Sequence, residues 1–160
     1  MNQPAAMAVT GYFDSSALVK RYLVETGSSW VQTWCEDPAN TVAVAEIGLV
    51  EIAAAFGGKL RGAHITAVQY NNARADLATD AQSEYTLVTV NRTVVDEAIE
   101  LTARRRLRGY DAVYLACALI LNRALVAHDL LPLIFVSADD DLLKAAAGEG
   151  LPTDNPNSHQ

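Results

Sequence analysis

Four carboxylates in this 160-residue chain stand where chemistry could use them. Asp14 directly follows the apolar run Ala8–Phe13, and Asp139 closely follows Pro132–Val136. Asp111 opens the very apolar stretch DAVYLACALILNR, and Glu51 interrupts another between Val50 and Ile52. Taken singly, each aspartate is a good helix N-cap, because its oxygens accept from the unpaired amides of a helix start and complement its dipole. Glu51 alone could simply emerge at a helix edge. The set says more. Brought together, the four would repel and raise one another's pKa. A divalent cation removes that penalty, and Mg2+ or Mn2+ suits an all-oxygen donor set. No His or Cys stands near any of the four in sequence, which argues against zinc. Ions held this way can generate hydroxide and stabilise the leaving oxygen of a phosphodiester, so the pattern points to metal-dependent phosphoryl chemistry.

The elements that must position these groups follow from periodicity. Strands are expected at 8–13, 41–44, 85–90 and 132–136, with Leu151–Thr153 as an edge strand. Helices are expected at 15–24, from Ser28 or Ser29 through Cys35, at 46–56 (closed by Gly57, Gly58 and Gly62) and at 64–81, with Ile65, Val68 and Leu77 inward. Three more run to Arg106 from a cap at Asn91 or Thr93, from Asp111 through Arg123, and from Leu142 to Ala147. The first of these turns Val94, Val95, Ala98, Ile99 and Leu101 toward the core. Alternating strands and helices imply an α/β fold with a short parallel sheet of four to five strands, covered on both faces. In such sheets the functional crevice lies beyond the carboxyl ends of the strands, where Asp14 and Asp139 fall.

Length and composition agree with one domain over 1–160, with 1–7 and 154–160 loose. A 51% hydrophobic content excludes intrinsic disorder. The net charge of −7 argues against simple charge-driven binding to nucleic acid or an anionic membrane. It leaves room for a nucleic-acid enzyme whose acids hold metal. Cys35 and Cys117 lie far apart and read as small buried hydrophobes, which fits a reducing cytoplasm. The N-terminus lacks a signal-peptide pattern. The apolar stretch Ala112–Leu121 is well short of the ~20 residues of a membrane span and reads as a core helix.

Four segments carry a resemblance: YFDSSALVKRYLVE (12–25), VAVAEIGLVEIAAAFGGKLRG (42–62), LRGYDAVYLACAL (107–119) and FVSADDDLLKAAAGEGL (135–151). In order and spacing the chain resembles the PIN-domain ribonucleases, most closely the VapC-type toxins of toxin–antitoxin pairs. The resemblance implies a three-layer α/β/α PIN-like domain and a Mg2+- or Mn2+-dependent endoribonuclease acting on cellular RNA. Asp14, Glu51, Asp111 and Asp139 match its catalytic, metal-holding acids, and Ser137 matches a supporting hydroxyl; Ser15 and Ser16 read either as further supports that hydrogen-bond the carboxylates or as ordinary helix caps. Glu46 competes with Glu51, and Asp140 with Asp139. The resemblance further implies a cognate VapB-type antitoxin, operator DNA reached only through that antitoxin, and a homodimer.

Basic residues offer a substrate contact. Arg104, Arg105, Arg106 and Arg108 precede Asp111, and Lys59 and Arg61 lie in a glycine-flanked segment. They read either as RNA-phosphate contacts or, respectively, as cations at a helix C-terminus and a hinge. Tyr12, Trp30, Trp34 and Tyr110 are candidates to stack on bases, against a role in packing. Two other functions fit the same residues: a catalytically weak module acting through antitoxin and operator complexes, and a different metal-dependent nuclease or phosphatase. The haloacid-dehalogenase pattern fails, because Ser-Ser follows Asp14 where a second aspartate two positions on is needed.

Overall fold

A computed structural model describes residues 7–159. Five parallel strands form one sheet: β1 Val9–Phe13, β2 Asn40–Ala45, β3 Thr86–Val88, β4 Ile134–Val136 and β5 Thr153–Asp154, in the spatial order β3-β2-β1-β4-β5. The helices are α1 Ser15–Tyr22, α2 Ser28–Glu36, α3 Gly48–Arg61, α4 Ala67–Ser83, α5 Arg92–Arg104, α6 Gly109–Ala127 and α7 Asp140–Gly148. They cover both faces, giving the three-layer α/β/α architecture that the alternation predicts.

Successive strand residues point to opposite faces, and the two cores divide accordingly. Tyr12, Ala43, Ala45 and Phe135 pack under α5, α6 and α7. Phe13, Val42, Val44 and Val136 pack under α1, α2, α3 and α4. Burial on both sides is why these strands read as nearly continuous apolar runs. The Tyr12 hydroxyl, fully buried, donates to the Tyr114 carbonyl at 2.8 Å and ties the central strand to α6.

Several local expectations change. Gly57 and Gly58 lie inside α3, which runs on to Gly62. The buried anchors Ile52 and Phe56 outweigh a cost of roughly 1 kcal/mol per glycine. Glu46 lies before that helix and extends the β2 ladder, its amide donating to the Val88 carbonyl. The second helix is capped by Gly27 in the left-handed region, with no Ser28 or Ser29 cap. Helix α4 starts at a Thr66–Gln69 capping box, later than expected. Val68 and Ile99 face solvent, whereas Leu77, Val94, Ala98 and Leu101 are buried as expected.

Helix α6 has 19 residues, enough by length and composition to cross a membrane, so it outruns the apolar stretch read from sequence. Here Ala112 and Tyr114–Leu119 are buried in the core. The segment after 153 is docked rather than loose. Strand β5 pairs with β4, Pro156 is buried, and the His159 ring stacks on Trp30 with 4.4 Å between centroids. Expectations for residues 1–6 and 160 lie outside the described residues.

Gly11, in the central strand, leaves no room for a side chain: an added Cβ would sit 2.5 Å from the Trp34 ring. Gly11→Val should therefore destabilise the fold by about 1–3 kcal/mol through overpacking, read as a lowered denaturant midpoint.

Candidate active site

Strand β1 leads to β2 on one side of the sheet, and β4 joins β1 from the other, so a crevice opens where β1 and β4 end. Asp14 occupies it. Its amide donates to the Val136 carbonyl at 3.1 Å, which fixes the residue between the two strands. Its side chain is the N-cap of α1, with Oδ1 accepting from the Ala17 amide at 3.0 Å. Oδ1 also accepts from the Ser16 hydroxyl at 2.7 Å, and Oδ2 from the Ser137 hydroxyl at 2.6 Å. The capping and catalytic readings of Asp14 are thus compatible in one rotamer.

Those two serines lock the facing loop. The Ser16 oxygen accepts from the Ala138 amide and the Ser137 oxygen from the Asp139 amide, each at 3.0 Å. The turn Ser137–Asp139 is thereby held against the start of α1. Asp139 caps α7, its Oδ1 accepting from the Asp141 and Leu142 amides. Asp140 turns toward the C-terminal segment and accepts from the Asn155 amide group. Asp139 is therefore the acid that faces Asp14, and its charge acts on both Asp14 and Asp111.

Glu51 projects from the first turn of α3 and accepts from the Ser15 hydroxyl at 2.7 Å. Glu46 instead pairs with the Thr89 hydroxyl beside β3. Asp111 is not an N-cap, since Arg108 holds that position. It sits three residues later in the first turn of α6, within the field of Asp139 and Glu51. One turn further along α6, the buried Tyr114 phenol faces Glu51 and Asp14. Sequence reasoning missed Tyr114. Its signal was the three-residue spacing from Asp111, which puts both on one helix face.

Electrostatics mark Asp14 and Asp111 as strained for charge. Burial pushes the Asp14 carboxyl up to about 6; the Ser137, Ser16 and Ala17 donors pull it back, and Asp139 adds to the rise. Asp111 is raised by burial and then by Asp139, against the Arg108 amide and guanidinium. Burial, then Glu51, drives the Tyr114 phenol well up. Among the described residues, none of the four acids forms an ion pair with a Lys, Arg or His. An all-oxygen, net negative and uncompensated donor set fits a hard divalent cation. The arrangement is open: among the described residues, no three such side chains are already drawn into a ligand sphere.

The basic candidates separate. Arg104 and Arg105 both bind Glu149, at 2.6 Å and 2.8 Å, and Arg104 also reaches Glu97. Lys59 pairs with Glu25, which also holds the buried Lys20. Lys59 and Arg61 lie at the opposite end of α3 from Glu51, Arg61 about 15 Å along the axis. Arg106 and Arg108 are exposed, and the Arg108 charge acts on Asp111. Tyr12 and Trp34 are packed with Phe135 and Phe13, and Trp30 with His159, whereas Tyr110 is exposed.

Over 109 residues the chain is 34% identical to ribonuclease VapC45 of Mycobacterium tuberculosis, covering 68% of this chain and 74% of that protein. The chain belongs to the VapC ribonuclease family. No family model matches it. Among solved structures, PAE2754 from Pyrobaculum aerophilum superposes with a TM-score of 0.62 at 18% identity, covering 96% of this chain and 88% of that one. VapBC2 from Rickettsia felis, bound to a DNA fragment from its promoter, gives 0.56 at 10% identity, with 92% and 98% covered. These distant structures share the fold. The VapC relationship covers the sequence more narrowly but at higher identity.

The raised Asp14 pKa has a defined consequence for stability. Its value near 6 exceeds the reference 3.8, so its contribution is complete below about 3.8 and is lost as pH rises through 6. In chelator, Asp14→Asn should be the more stable protein at pH 7, by on the order of 2 kcal/mol, with the gap closing by pH 4. Thermal melts of both proteins across that range check this.

Proposed function

We propose that this VapC-family chain is the toxin of a toxin–antitoxin pair, an endoribonuclease that hydrolyses phosphodiester bonds in cellular RNA. One observation carries the reading. A nearly fully buried carboxylate, Asp14, lies at the β1–β4 switch point near three further acids, and among the described residues none of the four has a basic partner in ion-pair range. Structural acids are normally paired or solvated, whereas acids awaiting a cation need be neither.

Asp14, Glu51, Asp111 and Asp139 would hold Mg2+ or Mn2+. When bound, such an ion activates water and offsets charge building on the phosphate oxygens. The chain's own residues prepare the site. Ser16 and Ser137 donate to Asp14, leaving its carboxylate in one orientation. Ser15 restrains Glu51, and the α7 amides restrain Asp139. Tyr114, buried one turn along α6 from Asp111, presents its phenol to Glu51. No side-chain nucleophile is needed.

Partners follow from the same reading. The VapBC2 structure from Rickettsia felis is a complex bound to promoter DNA. By analogy this chain pairs with a VapB-type antitoxin, meets operator DNA through it, and forms a homodimer. An antitoxin cation entering the acidic crevice would inhibit by taking the metal's place.

Purified protein, freed of antitoxin, should cut RNA with Mn2+ or Mg2+ and stop in chelator. Asp14→Asn and Asp111→Asn should each lose at least about 100-fold in rate, with Ser137→Ala losing less. Normal cutting by either aspartate variant, or cutting that persists in chelator, would refute the assignment.

A further inference from the structure

Asp139, Asp140 and Asp141 stand in a row at the start of α7. Aspartate is among the best helix N-caps, so the run offers adjacent residues for one role. In the structure Asp139 takes it, its Oδ1 accepting from the Asp141 and Leu142 amides at 3.0 and 3.2 Å. Asp139 is also the acid whose charge reaches Asp14 and Asp111, so the choice of cap decides which carboxylate the crevice receives. Asp141 is turned to another side, where it lines a shallow cleft with Arg106, Arg108 and Lys144. Asp139 and Asp140 are both exposed, and nothing within α7 prefers one over the other. A contact from outside the helix must break the tie.

Asn155 makes that contact. Its Nδ2 donates to Asp140 Oδ1 at 3.1 Å and draws this carboxylate toward the segment after β4. The same side chain is fixed at its other end, where Oδ1 accepts from the Asn157 amide at 2.9 Å and caps the short 3-10 helix Pro156–Ser158. Pro156 is buried against Gly27, so closely that an added Cβ there would lie 2.5 Å from the Pro156 carbonyl oxygen. His159 Nε2 lies 2.7 Å from Asp154 Oδ1, and its ring is stacked 5° from parallel on Trp30. The Asp154 carbonyl accepts from the Ser137 amide at 3.1 Å, at the head of the turn that carries Asp139. Residues 153–159 thus form a strap fastened to α2 and β4, and Asn155 supplies its side-chain hydrogen bond to α7.

Resting on the ribonuclease reading above, we propose that Asn155 is a positioning residue: by holding Asp140 on the strap, it leaves Asp139 as the acid that caps α7 and is presented to the divalent cation. The bond joins exposed groups and adds little to stability. Its effect is on orientation.

Asn155→Asp isolates the contact. It keeps an oxygen to cap the 3-10 helix but replaces the donor with a second negative charge opposite Asp140. Mn2+ affinity of the full chain, read by isothermal titration calorimetry, should fall about tenfold. In chelator, the Asp141 amide should lose protection in NMR hydrogen exchange as Asp139 ceases to hold the cap alone. At limiting Mn2+, kcat for RNA should fall with KM for RNA unchanged. Adding Asp140→Asn to Asn155→Asp exchanges donor and acceptor and should restore affinity and protection together. In an Asp140→Ala background, Asn155→Asp should alter neither. Circular dichroism confirms folding of each variant. An unaltered Mn2+ affinity or an unaltered Asp141 amide in Asn155→Asp overturns the proposal. An effect that persists in the Asp140→Ala background, or no recovery in the exchanged pair, also overturns it and makes Asn155 a support of the fold alone. The ribonuclease reading fails separately: a parent protein that binds Mn2+ but cuts no RNA sinks that reading, while the affinity and exchange results still decide the role of Asn155. A parent that binds no Mn2+ overturns both.

Discussion

The structure turns on one buried carboxylate. Asp14 is 5% exposed, and a charge in that position is costly unless something answers it. Three protein donors answer part of it: two hydroxyls and one amide. The donors come from two pieces of the fold, the start of α1 and the end of β4. The amide belongs to α1, one hydroxyl to the first turn of that helix, and the other to the end of β4. The two hydroxyls then accept from the next two amides of the β4–α7 turn. A single side chain thereby dictates where β1 stops, where α1 begins and how the loop carrying Asp139 is held. The donors leave the pKa near 6, still above the usual carboxylate range, so the protein has answered the charge only in part. The remainder is what suits the crevice to a cation.

The distribution of charge follows. Four of the acids behind the net −7 stand around the strand-end crevice without forming a closed cluster, and among the described residues none of them is in an ion pair. The arginine run before α6 is the clearest case. Arg104 and Arg105 are held by Glu149, whose own pKa is lowered chiefly by the Arg104 hydrogen bond. Arg106 and Arg108 are left exposed. One run of like residues is thus divided between holding the fold and presenting charge.

Much of this was legible in sequence, for definable reasons. The strands with two buried faces read as apolar runs, and the strand-end rule picked out Asp14 and Asp139 before any contact was known. Glu51 over Glu46 was not decidable by spacing alone, since only the Ser15 contact and the path of α3 place it. Gly57 and Gly58 misled because local propensity was overruled by anchors on the same helix. The C-terminal segment read as loose because its order comes from distant partners: β4, α2 and the Trp30 ring. Tyr114 was hidden among apolar neighbours whose burial it shares. The division of the arginines depended on Glu97 and Glu149, and nothing local to the run announces either.

That division explains how an exposed connection can serve a site that needs fixed geometry. The α5–α6 connection carries Arg106, Arg108, Tyr110 and Asp111 within a few residues, and a loop of such composition would wander if left to itself. Glu149, at the end of α7, grips it from both Arg104 and Arg105, while Glu97 joins Arg104 to Arg123 on α6. Exposed ion pairs contribute little singly, but a shared carboxylate joining α5 to α7 restricts orientation even where it adds little stability. Helix α7 is the same helix that Asp139 caps and Lys144 rides on. The acids of the crevice and the cations of the cleft are therefore referenced to one rigid element. This is what lets an open pocket keep its acids and the neighbouring cations in a fixed relation to one another.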